Sequence, residues 1–393
     1  MNQPRNNFAY AQSPIDPVLF LALSMLLAFG LVMVASASIA VADLKMADPF
    51  AHFKRQAMYV GIGVFAAFIA YRLPLALWKS LDKWLVVAML FLLSILFVPG
   101  FGIKANGATR WLDLGPVTLQ VSEAVKLLIA IYLAGYLVRH RQELRENVWA
   151  FFRPLVLVGV IVGLLILEPD MGAAIVTVSI VMGMLFMAGA RFIPFVMVIS
   201  TVGIAMFVLT IIEPYRVRRL LSFINPWETA ASDGYQLTQS LIAIGSGSWA
   251  GVGLGASVQK MHYLPEQTND FIFAVVAEEL GLIGVAALLT LYAVVVVRGF
   301  KIGAAADMAE LKFGAYLAYG ISFWIGIQAV VNIGVNMGVL PTKGLILPFM
   351  SQGGSAIVVM CVAAALLFRV NLETFNSPAV VMRRTKRGGY ANE

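Results

Sequence analysis

The sequence predicts an all-α integral membrane bundle of about ten transmembrane helices with one long ordered extracytoplasmic loop between spans 7 and 8. Three observations predict it. Of 393 residues, 60% are hydrophobic and only 12% are charged, against about 25% charged in a soluble domain. The apolar residues fall into runs of bilayer length, for which about 20 residues suffice. A single connection, Glu213 to Asp270, is long and rich in Gly, Ser, aromatic and charged residues.

The spans read in order as 17–42, 56–72, 84–101, 121–138, 153–168, 172–190, 193–212, 271–297, 313–335 and 345–369. The first could be mistaken for a cleaved leader, because Ala35-Ser36-Ala37 resembles a cleavage site. Its apolar run, Val18 to Ala42, exceeds the roughly 7–15 residues of a signal core, and only Arg5 precedes it as a positive charge. It therefore reads as a membrane span. No internal repeat is evident, which argues against a transporter built from repeated halves. The organisation is a tail over 1–16, a membrane domain over 17–370 that includes the loop 213–270, and a basic tail over 371–393.

Orientation follows from Lys and Arg in the connections. With the N-terminus inside, the inner side carries Arg5, then Arg72, Lys79 and Lys83, then Arg139, Arg141, Arg145 and Arg153. It continues with Arg191, with Arg298, Lys301 and Lys312, and with Arg369, Arg383, Arg384, Lys386 and Arg387. The short outer loops carry Lys45, Lys54, Arg55, Lys104, Arg110 and Lys343. That asymmetry places both termini in the cytoplasm and the long loop outside. It also accounts for the net charge of +7. The basic residues form no groove with stacking aromatics, so no nucleic acid is expected as partner. Cys361 is the only cysteine, which excludes an intrachain disulfide.

The candidate chemistry is carboxylate chemistry. Asp270 directly precedes the eighth span. It can serve as a helix cap or as a general base at the membrane surface. Glu278 and Glu279 lie about 12–14 Å deeper along the same helix at 1.5 Å per residue, where acidic groups mark function or a structural pair. Glu123 and Lys126, three apart in the fourth span, share a helix face. They form a mutual ion pair, or Lys126 turns to an anionic headgroup that Arg110 and Lys104 also reach. Gly251-Val252-Gly253-Leu254-Gly255-Ala256 fits a dinucleotide pattern but lacks the βαβ context that the pattern needs. Ser351-Gln352-Gly353-Gly354-Ser355, inside the tenth span, requires protein or a water-filled cavity around it. None of His52, His140 and His262 is paired at metal-ligand spacing, and no metal site is expected.

Several ordered motifs are similar to those of the SEDS family (shape, elongation, division and sporulation). They include Gly234-Tyr235-Gln236-Leu237-Thr238-Gln239-Ser240-Leu241, Gly253-Leu254-Gly255 with Gln259-Lys260, and Tyr263-Leu264-Pro265-Glu266. They continue through Asn269-Asp270-Phe271-Ile272-Phe273-Ala274, Glu278-Glu279-Leu280-Gly281, Val339-Leu340-Pro341-Thr342-Lys343-Gly344 and Gly353-Gly354-Ser355. Ala108-Thr109-Arg110-Trp111-Leu112 and Glu168-Pro169-Asp170-Met171-Gly172 also fit. The similarity runs from about residue 17 to residue 374. Glu213-Pro214-Tyr215-Arg216-Val217-Arg218-Arg219, with Phe223-Ile224-Asn225-Pro226-Trp227, resembles the division-specific branch rather than the elongation branch. Val121 and Asn269 depart from the Pro and Thr common at those places.

The resemblance implies a SEDS fold of ten spans and a peptidoglycan glycosyltransferase that polymerises lipid II into β-1,4-linked strands at the outer face of the cytoplasmic membrane, at the division septum. It implies Asp270 as the catalytic aspartate, taking the proton of the acceptor sugar's 4-hydroxyl. The donor is the growing glycan on undecaprenyl pyrophosphate, and one inversion needs a single base and no covalent nucleophile. Arg110, Lys126, Lys260 and Lys343 are the expected neutralisers of the leaving pyrophosphate. Glu123, Gln239, Glu266, Ser351 and Ser355 complete the expected substrate-binding set. A divalent cation, Mg or Mn, could assist the pyrophosphate, although the sequence shows no dedicated cage. A class B penicillin-binding protein and other membrane division proteins are the implied partners. Two other readings stand beside this one, a lipid II flippase and a non-catalytic division scaffold. A flippase needs polar groups along a continuous path; a polymerase concentrates them at the outer face.

Overall fold

The structure is a computed structural model. It describes residues 13–382 apart from 47, 106–107, 114, 116–117, 191, 213–216, 219–221, 262, 342–343, 379 and 381. Helices occupy all ten segments where spans are expected. They are α1 (Pro17–Met46), α2 (Ala51–Arg72), α3 (Leu75–Ile95), α4 (Val121–Arg139), α6 (Val148–Leu167), α7 (Met171–Met187), α8 (Phe192–Ile212), α10 (Ile272–Met308), α11 (Lys312–Asn336) and α12 (Ser355–Phe375). Two shorter helices join them, α5 (Glu143–Glu146) and α9 (Tyr235–Ser246). Six of the described helices are individually long and apolar enough to cross a bilayer. The pair α2 and α3 meets that test jointly, bent by 108°.

The bend has a local cause. Leu73 is extended and Pro74 caps α3, because the residue before a proline is pushed out of the helical region. The third helix thus begins at Leu75, nine residues before the expected span, and ends at Ile95, ahead of Pro99-Gly100. At the same end of the bundle as the bend, Asp16 caps α1 by accepting from Leu19 N at 3.0 Å and Val18 N at 3.1 Å. The same carboxylate takes the guanidinium of Arg298, tying the start of α1 to the far part of α10.

Two parts of the fold differ from the expectation. The connection between α3 and α4 carries a three-stranded antiparallel sheet, β1 (Gly102–Ala105), β2 (Ala108–Asp113) and β3 (Thr118–Gln120). Such short strands around Gly and turn residues leave little alternation to read. The tenth span starts at Ser355 rather than at 345. Residues 345–354 are non-helical, though Leu345, Leu347, Phe349 and Met350 are buried. Pro348 and the Gly353-Gly354 pair oppose a helix there, and Phe349 has φ +62°.

Such backbone survives at membrane depth only where protein satisfies its polar groups. Asn332 Nδ2 donates to Leu345 O, Gln328 Nε2 to Ile346 O at 3.1 Å, Tyr292 Oη to Pro348 O and Gln56 Nε2 to Ser351 O at 3.1 Å. Leu347 N donates to Ser351 Oγ at 2.8 Å.

The long α10 breaks at Gly281, whose φ of +63° and ψ of −162° leave the helical region. The loop before α10 fills the break. Val252 N and Gly253 N donate to Glu278 O and Glu279 O at 2.9 and 3.1 Å, while Leu282 N and Ile283 N donate to Ser248 O and Trp249 O at 3.0 and 3.1 Å. A Cβ on Gly251 would lie 2.1 Å from Glu279 O, so only glycine permits this approach. The glycines that mimic a dinucleotide motif therefore serve to clip the loop onto the broken helix. The core of the bundle is α10 against α11 and α1, with α4 packed on α3, α7 and α11, and α12 on α2.

Candidate active site

At the loop-bearing end of the bundle, three segments meet around Asp270. Its backbone is held from α11: Asn332 Nδ2 and Asn336 Nδ2 each donate to Asp270 O at 2.9 Å. Ser351 Oγ donates to Asn269 O at 2.6 Å, and Gln352 N donates to Thr268 O at 2.8 Å. Three consecutive carbonyls are thus fixed by α11 and by the segment before α12. The Asp270 carboxylate makes no hydrogen bond or ion pair among the described residues. It lies over Gly344, where a Cβ would come within 3.2 Å of Asp270 Oδ2 and 3.9 Å of Arg110 Nη1, so the two side chains approach the same point of backbone.

Arg110 projects from β2 toward that point, anchored by donation from Nη2 to Pro169 O. Glu168 and Asp170 flank that proline and are both buried. Asp170 caps α7 by accepting from Ala173 N at 3.1 Å. Asp270, Arg110, Glu168 and Asp170 form one electrostatic cluster, with Glu266 beside Asp270. Burial, then the neighbouring Glu266 and Asp170 charges, lift the Asp270 carboxyl to about 7 against the pull of Arg110. Burial and Asp170 likewise lift Glu168 to about 8. A carboxyl near 7 beside a guanidinium can accept a proton at neutral pH while an anion is held next to it.

The remaining expected residues divide between this cluster and the interior. Glu266, at φ +55°, accepts from Asn269 Nδ2 at 2.6 Å; it adds negative charge near Asp270, which disfavours an anion. Lys343 and the side chain of Lys104 lie outside the described residues. Lys126 is fully buried. Its ammonium donates to Glu123 Oε1 and Gln328 Oε1, both at 2.7 Å, and stands 5.5 Å over the Trp324 ring. Of the two readings of Glu123 and Lys126, the structure adopts the ion pair, because an unpaired lysine at that depth is costly.

Lys260 is likewise turned inward, not to the site. It donates to Glu279 Oε1 at 2.8 Å and Ser36 Oγ at 3.1 Å. Glu278 accepts from Ser257 Oγ and from Val258 N at 2.9 Å. The deep carboxylates thus pin the loop 257–260 to α10 and α1. Ser351 and Ser355 bind backbone rather than open space. Ser351 is described above, and Ser355 Oγ accepts from Gln120 N at 2.7 Å, joining β3 to α12. Gln239 is half-buried on α9, and no hydrogen bond among the described residues joins it to the Asp270 cluster.

Sequence reasoning passed over Asn332, Asn336 and Gln328. Their spacing of four is the signal that could have found them, since it puts three amides on one face of an apolar helix. Among the described residues no group of three or more His, Cys, Asp or Glu side chains is gathered to hold a metal ion.

Fold and site together define a multi-pass helical membrane protein with a carboxylate–guanidinium centre at one end of its bundle. A model of the family described as cell cycle protein, which covers FtsW, RodA and SpoVE, matches residues 17–376. The chain belongs to this family, the SEDS family. It is 52% identical over 374 residues to the probable peptidoglycan glycosyltransferase FtsW of Thioalkalivibrio sulfidiphilus, covering 95% of this chain and 94% of that one. It is 46% identical over 351 residues to the protein of the same name from Coxiella burnetii, covering 89% and 94%. Among solved structures, it is similar to a chain of a peptidoglycan synthase complex studied for the coordination of polymerization and crosslinking. That match has a TM-score of 0.74 and 29% identity, covering 92% of this chain and 98% of that one. Thermus thermophilus RodA, a rod shape determining protein, matches with a TM-score of 0.67 and 28% identity over the same shares.

Proposed function

We infer that this chain is a peptidoglycan glycosyltransferase that polymerises lipid II during septal wall synthesis. The observation that carries the reading is Asp270, fixed through its backbone by Asn332, Asn336 and the Ser351 segment, with its carboxylate approaching Gly344 beside Arg110. Its relatives bear the name of that activity over nearly their whole lengths.

Asp270 takes the proton of the acceptor's 4-hydroxyl as that oxygen attacks the anomeric carbon of the donor. The bond from that carbon to pyrophosphate breaks, and undecaprenyl pyrophosphate leaves with the electron pair. Arg110 stabilises the leaving charge, with Lys343 as its expected companion. Lys126, Glu123, Lys260, Ser351 and Ser355 serve behind the site, as supports of the segments that shape it. Any Mg or Mn requirement enters with the pyrophosphate of the substrate. The site faces outward with both termini in the cytoplasm, in keeping with the basic asymmetry of the loops. A class B penicillin-binding protein is the working partner, in keeping with the synthase-complex neighbour.

The flippase reading loses ground because Glu278, Glu279 and Lys260 are consumed in closed pairs. The test is the purified protein with its partner and labelled lipid II, the products sized on a gel. A ladder of glycan strands is expected; unchanged lipid II alone would overturn the reading.

A further inference from the structure

Glu168 has no structural duty in this fold. Its own backbone closes α6, donating from Glu168 N to Leu164 O at 3.0 Å, and Asp170 N donates to Leu165 O at 2.8 Å. The side chain of Asp170, not Glu168, caps α7. A carboxylate at a helix C-terminus is moreover disfavoured by the helix dipole. Yet Glu168 is only 3% exposed, and among the described residues neither of its carboxyl oxygens has a hydrogen-bond partner. Buried polar groups in folded proteins are nearly always satisfied, so this one awaits a partner.

Arg110 offers the complementary vacancy. It lies close enough for its charge to act on Glu168, and it is anchored by Nη2 to the carbonyl of the next residue, Pro169. Its Nε–H is buried and has no partner among the described residues. Among the described residues an unpartnered acceptor and an unpartnered donor therefore belong to one charge cluster, joined through the Pro169 carbonyl that Arg110 holds, and Arg110 Nη1 reaches toward Gly344 beside Asp270.

We propose that Glu168 and Arg110 form a subsite for a sugar hydroxyl of the lipid-linked saccharide. A hydroxyl donates one hydrogen bond and accepts others, so it satisfies both vacancies at once. A metal ion would satisfy Glu168 but meet the guanidinium. Glu168 is thus a substrate-binding residue that orients the saccharide while Asp270 acts on it, an assignment that rests on the glycosyltransferase reading above.

The test uses full-length protein carrying Asp270→Asn to stop turnover, and two probes: fluorescent lipid II, and undecaprenyl pyrophosphate without sugars. Adding Glu168→Leu should weaken lipid II binding about tenfold, the loss of one buried hydrogen bond. Binding of the sugar-free lipid should stay within roughly twofold, since it lacks the hydroxyl. Glu168→Gln, which keeps an acceptor oxygen, should retain lipid II binding to within roughly threefold. Ligand-free Tm of Glu168→Leu should match or exceed that of the parent, because an unsatisfied buried group is removed. Equal weakening of both lipids, no weakening of either, or a lowered Tm would overturn the subsite. So would an effect that vanishes in EDTA, which would mark a cation site. If wild-type protein with its partner makes no glycan while these binding differences hold, the glycosyltransferase reading fails and the hydroxyl subsite stands.

Discussion

Asn336 reaches from the end of α11 to donate 2.9 Å to the carbonyl oxygen of Asp270. The bond leaves the Asp270 carboxylate free while fixing where its backbone lies. Asn336 also accepts from Ala274 N at 3.3 Å, so one amide sets both the first turn of α10 and the residue two places before the helix. Asn336→Ala should therefore lower kcat about tenfold to a hundredfold, because a misplacement near 1 Å costs that much. KM for lipid II should change little. A variant with wild-type kcat would show that the second amide, Asn332, suffices alone.

Asp270→Asn should abolish glycan synthesis without loss of folding, since the carboxamide keeps the shape and the backbone bonds remain. In the wild type the carboxyl lies near 7, raised first by burial. Only the deprotonated form accepts a proton, so the rate should climb as pH rises through about 7 and level off above it. A rate already flat from pH 5 to 8 would remove Asp270 from the role of base. The same raised value means that the folded state holds its proton more tightly than the unfolded chain. Asp270 thus favours folding at low pH, and that contribution is lost as pH rises through about 7.

Much of this arrangement is legible in the sequence, and the rest is hidden for definite reasons. The ten helical segments follow from apolar run length. Asp270 is legible as a charge at a span end, and Arg110 as a charge in a short outer loop. The direction in which a buried lysine turns is not, since helix spacing allows Lys126 either partner. Lys260 is misread for a related reason: its partners Glu279 and Ser36 are 19 and 224 residues away in the chain. The segment 345–354 reads as a span because its residues are as apolar as lipid-facing ones, yet Asn332, Gln328, Tyr292 and Gln56 let it stay non-helical.

The loop-bearing end should face outward. Single cysteines at Ser232 and at Asn376, in a background lacking Cys361, should label differently with an impermeant thiol reagent. In intact spheroplasts the Ser232 position should react and the Asn376 position should react only after lysis. The reverse pattern would invert the topology drawn from the basic residues.

Lys126 gives the sharpest separation of support from contact. Its ammonium joins Glu123 to Gln328, and Gln328 holds the carbonyl of Ile346 at 3.1 Å. Ile346 lies two residues after Gly344, the point of backbone that Asp270 and Arg110 approach. The charge pair is thus linked to the site through one amide and one segment of backbone. Lys126→Met alone leaves Glu123 charged and buried without a partner, which should destabilise by about 3–5 kcal/mol. Replacing both, as Glu123→Gln with Lys126→Met, leaves no unpaired charge and should restore most of that stability. If the pair only supports the segment, the double variant should polymerise with lower kcat and an unchanged KM for lipid II. A KM raised about tenfold or more at normal thermal stability would instead mean that Lys126 reaches the substrate anion. Because Lys126 is fully enclosed by Glu123, Gln328 and the Trp324 ring, the first outcome is the one expected.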